Sequence, residues 1–245
     1  MIAAVAAAQP CAAEGVQPSA GAKGTQAEVQ IGLCAPADRI VQALDLRPRG
    51  APITVWQFDD DALTLLQHGL RIRLRVAADG SSELALKVAD QDCAHLDRRR
   101  VPQGEGKCEY DVYGASTAGA VSLTRILSAR STSELLAGRL APAQALSQSQ
   151  ARYLRQVVRV WPLPHEIKAL GPMQVRRYRT KDHLYDVDLS RLPDDERYAE
   201  ISRKVPLAGA ARAMGVLEGD LVRAGVAMCA DQSSPAADKL RNLIR

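Results

Sequence analysis

The chain has 245 residues, 47% of them hydrophobic and 4% aromatic, and a formal net charge of +4. That length suits one domain or slightly more, with a core built from Ala, Leu and Val rather than from rings. The charge is spread along the chain, which gives no nucleic-acid signature, and no run nears the roughly 18 apolar residues of a membrane-spanning helix.

Residues 1–24 are rich in Ala, Gly, Gln and Pro. Residues 2–8 are small and apolar, and Ala6-Ala7-Ala8 suits the end of a signal peptide, but a basic leader segment is missing. Residues 1–24 are therefore expected to be a disordered tail or the remnant of an export signal, and 25–245 one domain. The location stays open between exported or periplasmic and cytoplasmic. Residues 28–33 alternate as a strand, with Glu28, Gln30 and Gly32 on one face. Residues 36–46 predict a helix, with Asp38 in its first turn, Ile40, Val41 and Leu44 as its apolar side, and Pro48 beyond its end.

The most informative stretch is 55–75. Val55-Trp56-Gln57-Phe58 is apolar and aromatic, and Asp59-Asp60-Asp61 interrupts it. Leu63, Leu65 and Leu66 predict a short helix that Gly69 closes. From Leu70 onward the pattern alternates: Ile72, Leu74 and Val76 on one face, Arg71, Arg73 and Arg75 on the other. Alternation by itself describes a solvated strand face. The other reading is a wall that faces phosphate, because guanidinium forks match phosphate oxygens in pairs.

Asp79-Gly80 marks a hairpin turn, and 83–88 return as a strand carrying Lys87. Residues 91–100 are a polar connection in which Arg98-Arg99-Arg100 suits a solvated edge. In 107–113, period two puts Lys107, Glu109 and Asp111 on one face and Cys108, Tyr110 and Val112 on the other. Residues 115–161 carry leucines at helical spacing, among them Leu123, Leu127, Leu135, Leu136 and Leu154, and predict two or three helices outside a sheet. His165 suits the surface. Further strands are expected at 173–179, with Val175, Arg177 and Arg179 on one face, at 183–189, with Asp186 and Asp188 on one face, and at 198–205, with Glu200 and Ser202. A helix at 207–226 and a short one around Lys239 finish the chain.

Five cysteines without a Cys-x-x-Cys give no zinc or thioredoxin-like motif. Cys93 and Cys108 flank one connection and are expected to form a disulfide worth about 3 kcal/mol, with buried thiols as the alternative. Cys34 and Cys229 meet if the first helix nears the last.

Taken in order, these elements resemble the CYTH superfamily, the triphosphate tunnel metalloenzymes. The resemblance rests on Phe58-Asp59, the leucine-bearing turn, Gly69 and Arg73/Arg75, on the strand ending in Lys87, and on Lys107, Glu109 and Asp111 at alternate positions. It runs from residue 27 to 245. It departs at the opening Glu-x-Glu-x-Lys signature, where Glu28 remains but Gln30 and Gly32 stand for the second acid and the lysine, and at the late Glu-x-Glu strand, where Glu200 is followed by Ser202. The resemblance implies an α+β fold, an antiparallel β tunnel of about eight strands with flanking helices. It implies phosphate binding by Arg73, Arg75, Lys87, Lys107 and Arg179, with Arg177 the alternative to Arg179. It implies catalytic, metal-holding carboxylates at Glu28, Glu109, Asp111 and Glu200, for magnesium or manganese. The implied activity is metal-dependent hydrolysis of triphosphate or a related phosphoanhydride. The thinned acids leave a second reading: a module that binds polyphosphate or an organic phosphate without turnover. A nucleotidyl cyclase is a third, without any base-recognition signal. The expected partner is a phosphate-rich small molecule or polyphosphate, with no nucleic acid and no membrane span; the oligomeric state stays open.

Overall fold

The structure, a computed structural model, describes residues 25–96, 106–157, 162–232 and 235–244. The expectations for 1–24, for Arg98-Arg99-Arg100 and for the last residues of the 115–161 stretch lie outside these residues. In chain order the strands are β1 (Gln26–Leu33), β2 (Leu46–Pro48), β3 (Ile53–Asp59), β4 (Leu70–Ala77), β5 (Ser82–Ala89), β6 (Gly106–Tyr113), β7 (Ser116–Leu127), β8 (Lys168–Thr180), β9 (Asp186–Arg191) and β10 (Arg197–Pro206). The helices are α1 (Ala37–Ala43), α2 (Thr64–Gln67), α3 (Ala129–Leu136), α4 (Pro142–Ala145), α5 (Gln148–Val157), α6 (Ala210–Arg223) and α7 (Pro235–Leu243).

Nine of these strands close on themselves in the order β8-β3-β4-β5-β7-β6-β1-β10-β9, with β9 pairing back onto β8 and β2 added beside the end of β8. The expected tunnel is thus present, as a ring of nine. An odd ring cannot alternate direction all the way round, so one neighbouring pair must be parallel. That pair is β1 and β6, with Glu28 opposite Asp111; each of the other pairings around the ring is antiparallel. Closure leaves the ring without an unpaired edge.

The barrel is apolar on the outside. Ile72, Leu74, Leu84, Leu86, Val121 and Leu123 are all but inaccessible and pack under α3–α5 through Leu135, Leu146, Tyr153 and Leu154. On the other flank Ala27, Val29, Ile31 and Leu33 of β1 pack under α6 through Met214, Leu217 and Leu221, with Ile40 of α1 beside them. Each such side chain contributes about 1.5–3 kcal/mol by leaving water. Period two then sends the alternate residues inward; many of those are charged, with Ile53, Val55, Met173 and Val175 as an apolar patch among them. Arg71, Arg73 and Arg75 face the lumen, not solvent outside the barrel.

One expectation is corrected here. Residues 116–127 are not helical; they are β7, and only 129–157 carry the helices α3, α4 and α5. Leu123 and Leu127 fit a helical spacing, but Val121, Leu123 and Leu127 also share one strand face, and all three are buried. Thr117, Val121, Thr124 and Ile126 are β-branched and favour the pleated form. The strand ladder wins because β7 bridges β5 and β6, pairing Ser122 with both Lys87 and Lys107. Gly119 is needed at the end of this ladder: a Cβ there would lie 1.9 Å from the carbonyl oxygen of Gln91. The late helix also stops sooner than its pattern suggests: α6 ends at Arg223, and Gly225 takes a positive φ of 65°.

Two disulfides are present, Cys93–Cys108 and Cys34–Cys229, the second tying the end of β1 to the segment after α6. No helix among the described residues is long and apolar enough to cross a membrane. Replacing Cys93 and Cys108 together by serine should lower unfolding stability by about 3 kcal/mol in urea, for a loop of 15 residues. Non-reduced peptide mapping that found only free thiols would contradict the pairing.

Candidate functional site

The lumen encloses a cavity of about 400 Å³. The inward faces of β4, β5 and β8 supply Arg71, Arg73, Arg75, Lys87 and Arg177, and Arg49 joins them from the loop before β3. Facing them, β1, β9 and β10 supply Glu28, Asp186, Asp188 and Glu200, with Lys204 on β10 and Lys107 and Glu109 on β6. Lys239 of α7 completes the charged lining, so that nine cations meet five carboxylates around one cavity. A larger cavity of about 1260 Å³ lies against α1 and the outer faces of β8 and β9; two of its arginines, Arg191 and Arg197, are bridged to Asp195. Its lining is less charged, and the predicted phosphate ligands are not in it.

The two sides of the lumen differ in how their charges are matched. On the basic side Arg73 has no carboxylate within ion-pair distance among the described residues. Water in the lumen reaches it, yet protein surrounds it. Its pKa falls to about 9, because of desolvation first and then the neighbouring Arg75 and Arg71. The Nε of Arg177 is buried without a partner, as is Oε1 of Gln57, which sits opposite Arg73 on β3. Arg75 is 3.5 Å from Glu83. Such a wall carries more positive charge than the protein neutralises.

On the acidic side Asp111 and Glu109 are paired from within, whereas Glu200 lies beside Asp188. Asp111, 6% exposed, accepts a hydrogen bond from Lys87, is met by the Gln30 amide at 3.4 Å and lies 3.9 Å from Arg71. Glu109 is held between Lys107 at 2.5 Å and Lys204 at 2.7 Å. Burial works to raise its pKa, but the two lysine hydrogen bonds outweigh it and hold the carboxyl low. Glu28 accepts from the Ser202 hydroxyl at 3.3 Å. Glu200 stands opposite Asp188 across β10 and β9. Burial pushes its carboxyl up; Lys239 opposes that, and the charges of Asp188 and Glu28 add to it. Tyr113, deep in the same lumen, is also pushed up, by burial first and then by Glu200 and Asp111.

Glu28, Glu109, Glu200, Arg73, Arg75, Lys87 and Lys107 thus border one cavity, and Asp111 sits in its wall. Arg179 takes another place: its guanidinium forks onto Asp186 at 2.7 and 3.2 Å, while Arg177, its alternative, borders the cavity. The resemblance does not supply Arg71, Lys204, Asp188 or Gln57. Arg71, Lys204 and Asp188 share strand parity with a charged residue of the lumen, and parity is the signal that finds them; Gln57 shares it only with Ile53 and Val55. Asp59 serves the fold: its buried carboxylate accepts from the backbone of Asp60, Leu65 and Leu66 and so fixes α2 under the barrel.

The donor set is a poor fit for magnesium or manganese. Among the described residues no group of three or more His, Cys, Asp or Glu side chains converges as a metal would need. The oxygens of Glu109 and Asp111 already face ammonium groups, which repel a dication.

No family model matches the sequence, and no curated protein matches it. Solved structures do. A Hippeastrum protein described as a candidate adenylyl cyclase with a dominant triphosphatase activity superposes with a TM-score of 0.61 at 17% identity, over 88% of this chain and 95% of that one. A Bacillus halodurans protein described as a candidate adenylate cyclase gives 0.57 at 13% identity, over 87% and 96%. The chain has the CYTH-like tunnel fold of these structures; identities this low speak for the fold alone.

Two outcomes follow from the charges. Asp111→Ala leaves Lys87 and Arg71 without their counter-charge and should cost about 3 kcal/mol in urea unfolding. Glu200 behaves in the opposite sense. Its folded pKa is raised, so the folded state binds the proton more tightly than the unfolded one. Stability is then fullest below the unfolded value of about 4.3 and is lost as pH rises through the folded pKa. Glu200→Gln removes that loss, so the variant should melt above wild type at pH 7 and show no such gain at pH 4. A lower melting temperature at pH 7 would mean that Glu200 is favourably paired.

Proposed function

We propose that the tunnel binds a short polyphosphate or a phosphorylated small molecule through Arg71, Arg73, Arg75, Lys87 and Arg177. The carrying observation is the unmatched basic wall: Arg73 deep in the lumen with a lowered pKa, and Arg177 with a buried donor unused. A polyanion supplies the missing counter-charge, and guanidinium forks suit its oxygens. The cavity of about 400 Å³ lies in the range of small-molecule sites. The two disulfides suit an oxidising compartment.

A second reading is hydrolysis of a triphosphate or related phosphoanhydride. Glu28, Glu109 and Glu200 border the same lumen as the arginines, which favours it, and the Hippeastrum structure is described with a triphosphatase activity. The poor fit to a dication puts binding first.

Tripolyphosphate should raise the melting temperature by mass action on the folded state, and added salt should weaken the effect. Arg73→Ala should abolish the shift without loss of fold, because this side chain lines the lumen and holds no core contact. A shift that survives unchanged in Arg73→Ala would contradict the reading. Phosphate release from tripolyphosphate above the buffer rate would establish turnover as well as binding.

A further inference from the structure

We propose that the ammonium of Lys204, with that of Lys107, occupies the place of a divalent cation on the acidic side of the tunnel, so that anion binding here needs no metal. The inference rests on the phosphate-binding reading and says what balances the charge in that same site.

The argument starts from strand register. Lys204 on β10 is opposite Glu28 on β1, and Glu28 is opposite Asp111 on β6. One rung further along, Ser202 is opposite Gln30, and Gln30 is opposite Tyr113. All six side chains point inward by parity. Two of the carboxylates on these strands therefore have a donor one step away on the neighbouring strand, and Glu109 on β6 is reached over β1 from β10. Gln30 reaches Asp111, Ser202 reaches Glu28, and Lys204 reaches Glu109 at 2.7 Å. Lys107 takes the other oxygen of Glu109 at 2.5 Å. Glu109 thus has both oxygens engaged by ammonium groups.

A dication entering beside Glu109 and Glu28 would have to displace Lys204. The displaced ammonium, on a side chain 46% exposed at the cavity's edge, would stay tethered to β10 beside the site and repel a double charge there. Lys204 bonds Glu109 and stands opposite Glu28 on β1, so two carboxylates face its ammonium. Lys204 and Lys107 can still meet a ligand: both border the cavity, and an ammonium has three donors, of which Glu109 takes one from each. The lysines then serve two anions, the carboxylate behind them and the phosphate oxygens in front. An inorganic or organic polyphosphate should bind as the free anion, not as its magnesium complex.

The experiment is calorimetric titration of tripolyphosphate into the full chain, once in EDTA and once in excess manganese, with an electron-resonance titration of Mn2+ into protein without anion. The expected result is the same protein affinity for the free anion in both buffers, once manganese chelation by tripolyphosphate is corrected for, and a Mn2+ signal that stays that of the free ion. Lys204→Gln should weaken tripolyphosphate by about tenfold or more, the loss of a charged hydrogen bond. Lys204→Arg should recover most of that loss, which separates charge from packing. Binding that appears only with manganese, or Mn2+ captured by the wild-type protein, would overturn the inference and leave the phosphate reading standing. Unchanged affinity in Lys204→Gln would overturn it too. Absence of binding in both buffers would overturn the phosphate reading and this inference with it.

Discussion

The structure depends on one inversion. A small soluble barrel ordinarily hides apolar side chains inside, whereas here the leucines and valines of β1, β4, β5 and β7 point outward into two helical coats. Helices α3–α5 on one flank and α6 with α1 on the other are therefore conditions for the barrel, because they remove its apolar outer face from water. The same period-two alternation that loads the outside with leucine leaves the inside to arginine, lysine, glutamate and aspartate. Fold and site are two faces of the same strands, and a register slip of one residue in any of them would spoil both.

A charged interior must then be balanced. The acidic side manages much of this within the protein, through Lys87 on Asp111 and Lys107 and Lys204 on Glu109, with Ser202 donating to Glu28 and Glu200 left beside Asp188. The basic side does not, since Arg73 and the Nε of Arg177 are left without an acceptor. That asymmetry would give the proposed binding its direction, with a ligand anion on the β4–β8 side and ammonium groups across the lumen. The carboxylates keep those ammonium groups in place.

Much of this was legible in the sequence because strands write their two faces at alternate positions. Arg71, Arg73 and Arg75, and Lys107, Glu109 and Asp111, could be placed together before any contact was known. Residues 116–127 misled because Leu123 and Leu127 satisfy a helical and a strand spacing at once, and the choice between them is made by β5 and β6, far away in sequence. Partners across the lumen were also hidden. That Lys204 reaches Glu109, 95 residues away, depends on the parallel β1–β6 pairing, which an odd ring imposes and no local pattern records. Arg179 looked equivalent to Arg177 by parity; the register puts Asp186 beside it, and its guanidinium is taken up by that carboxylate. The Cys93–Cys108 bridge was legible from its loop.

The central claim is that the tunnel holds phosphates on its arginine wall while its own lysines balance its acids. A crystal structure grown with tripolyphosphate and manganese, with anomalous data at the manganese edge, tests it most directly. The account predicts phosphate density against Arg71, Arg73, Arg75 and Arg177 and no anomalous peak beside Glu28, Glu109 and Glu200. A manganese peak bridging those carboxylates, with Lys204 swung aside, would contradict it.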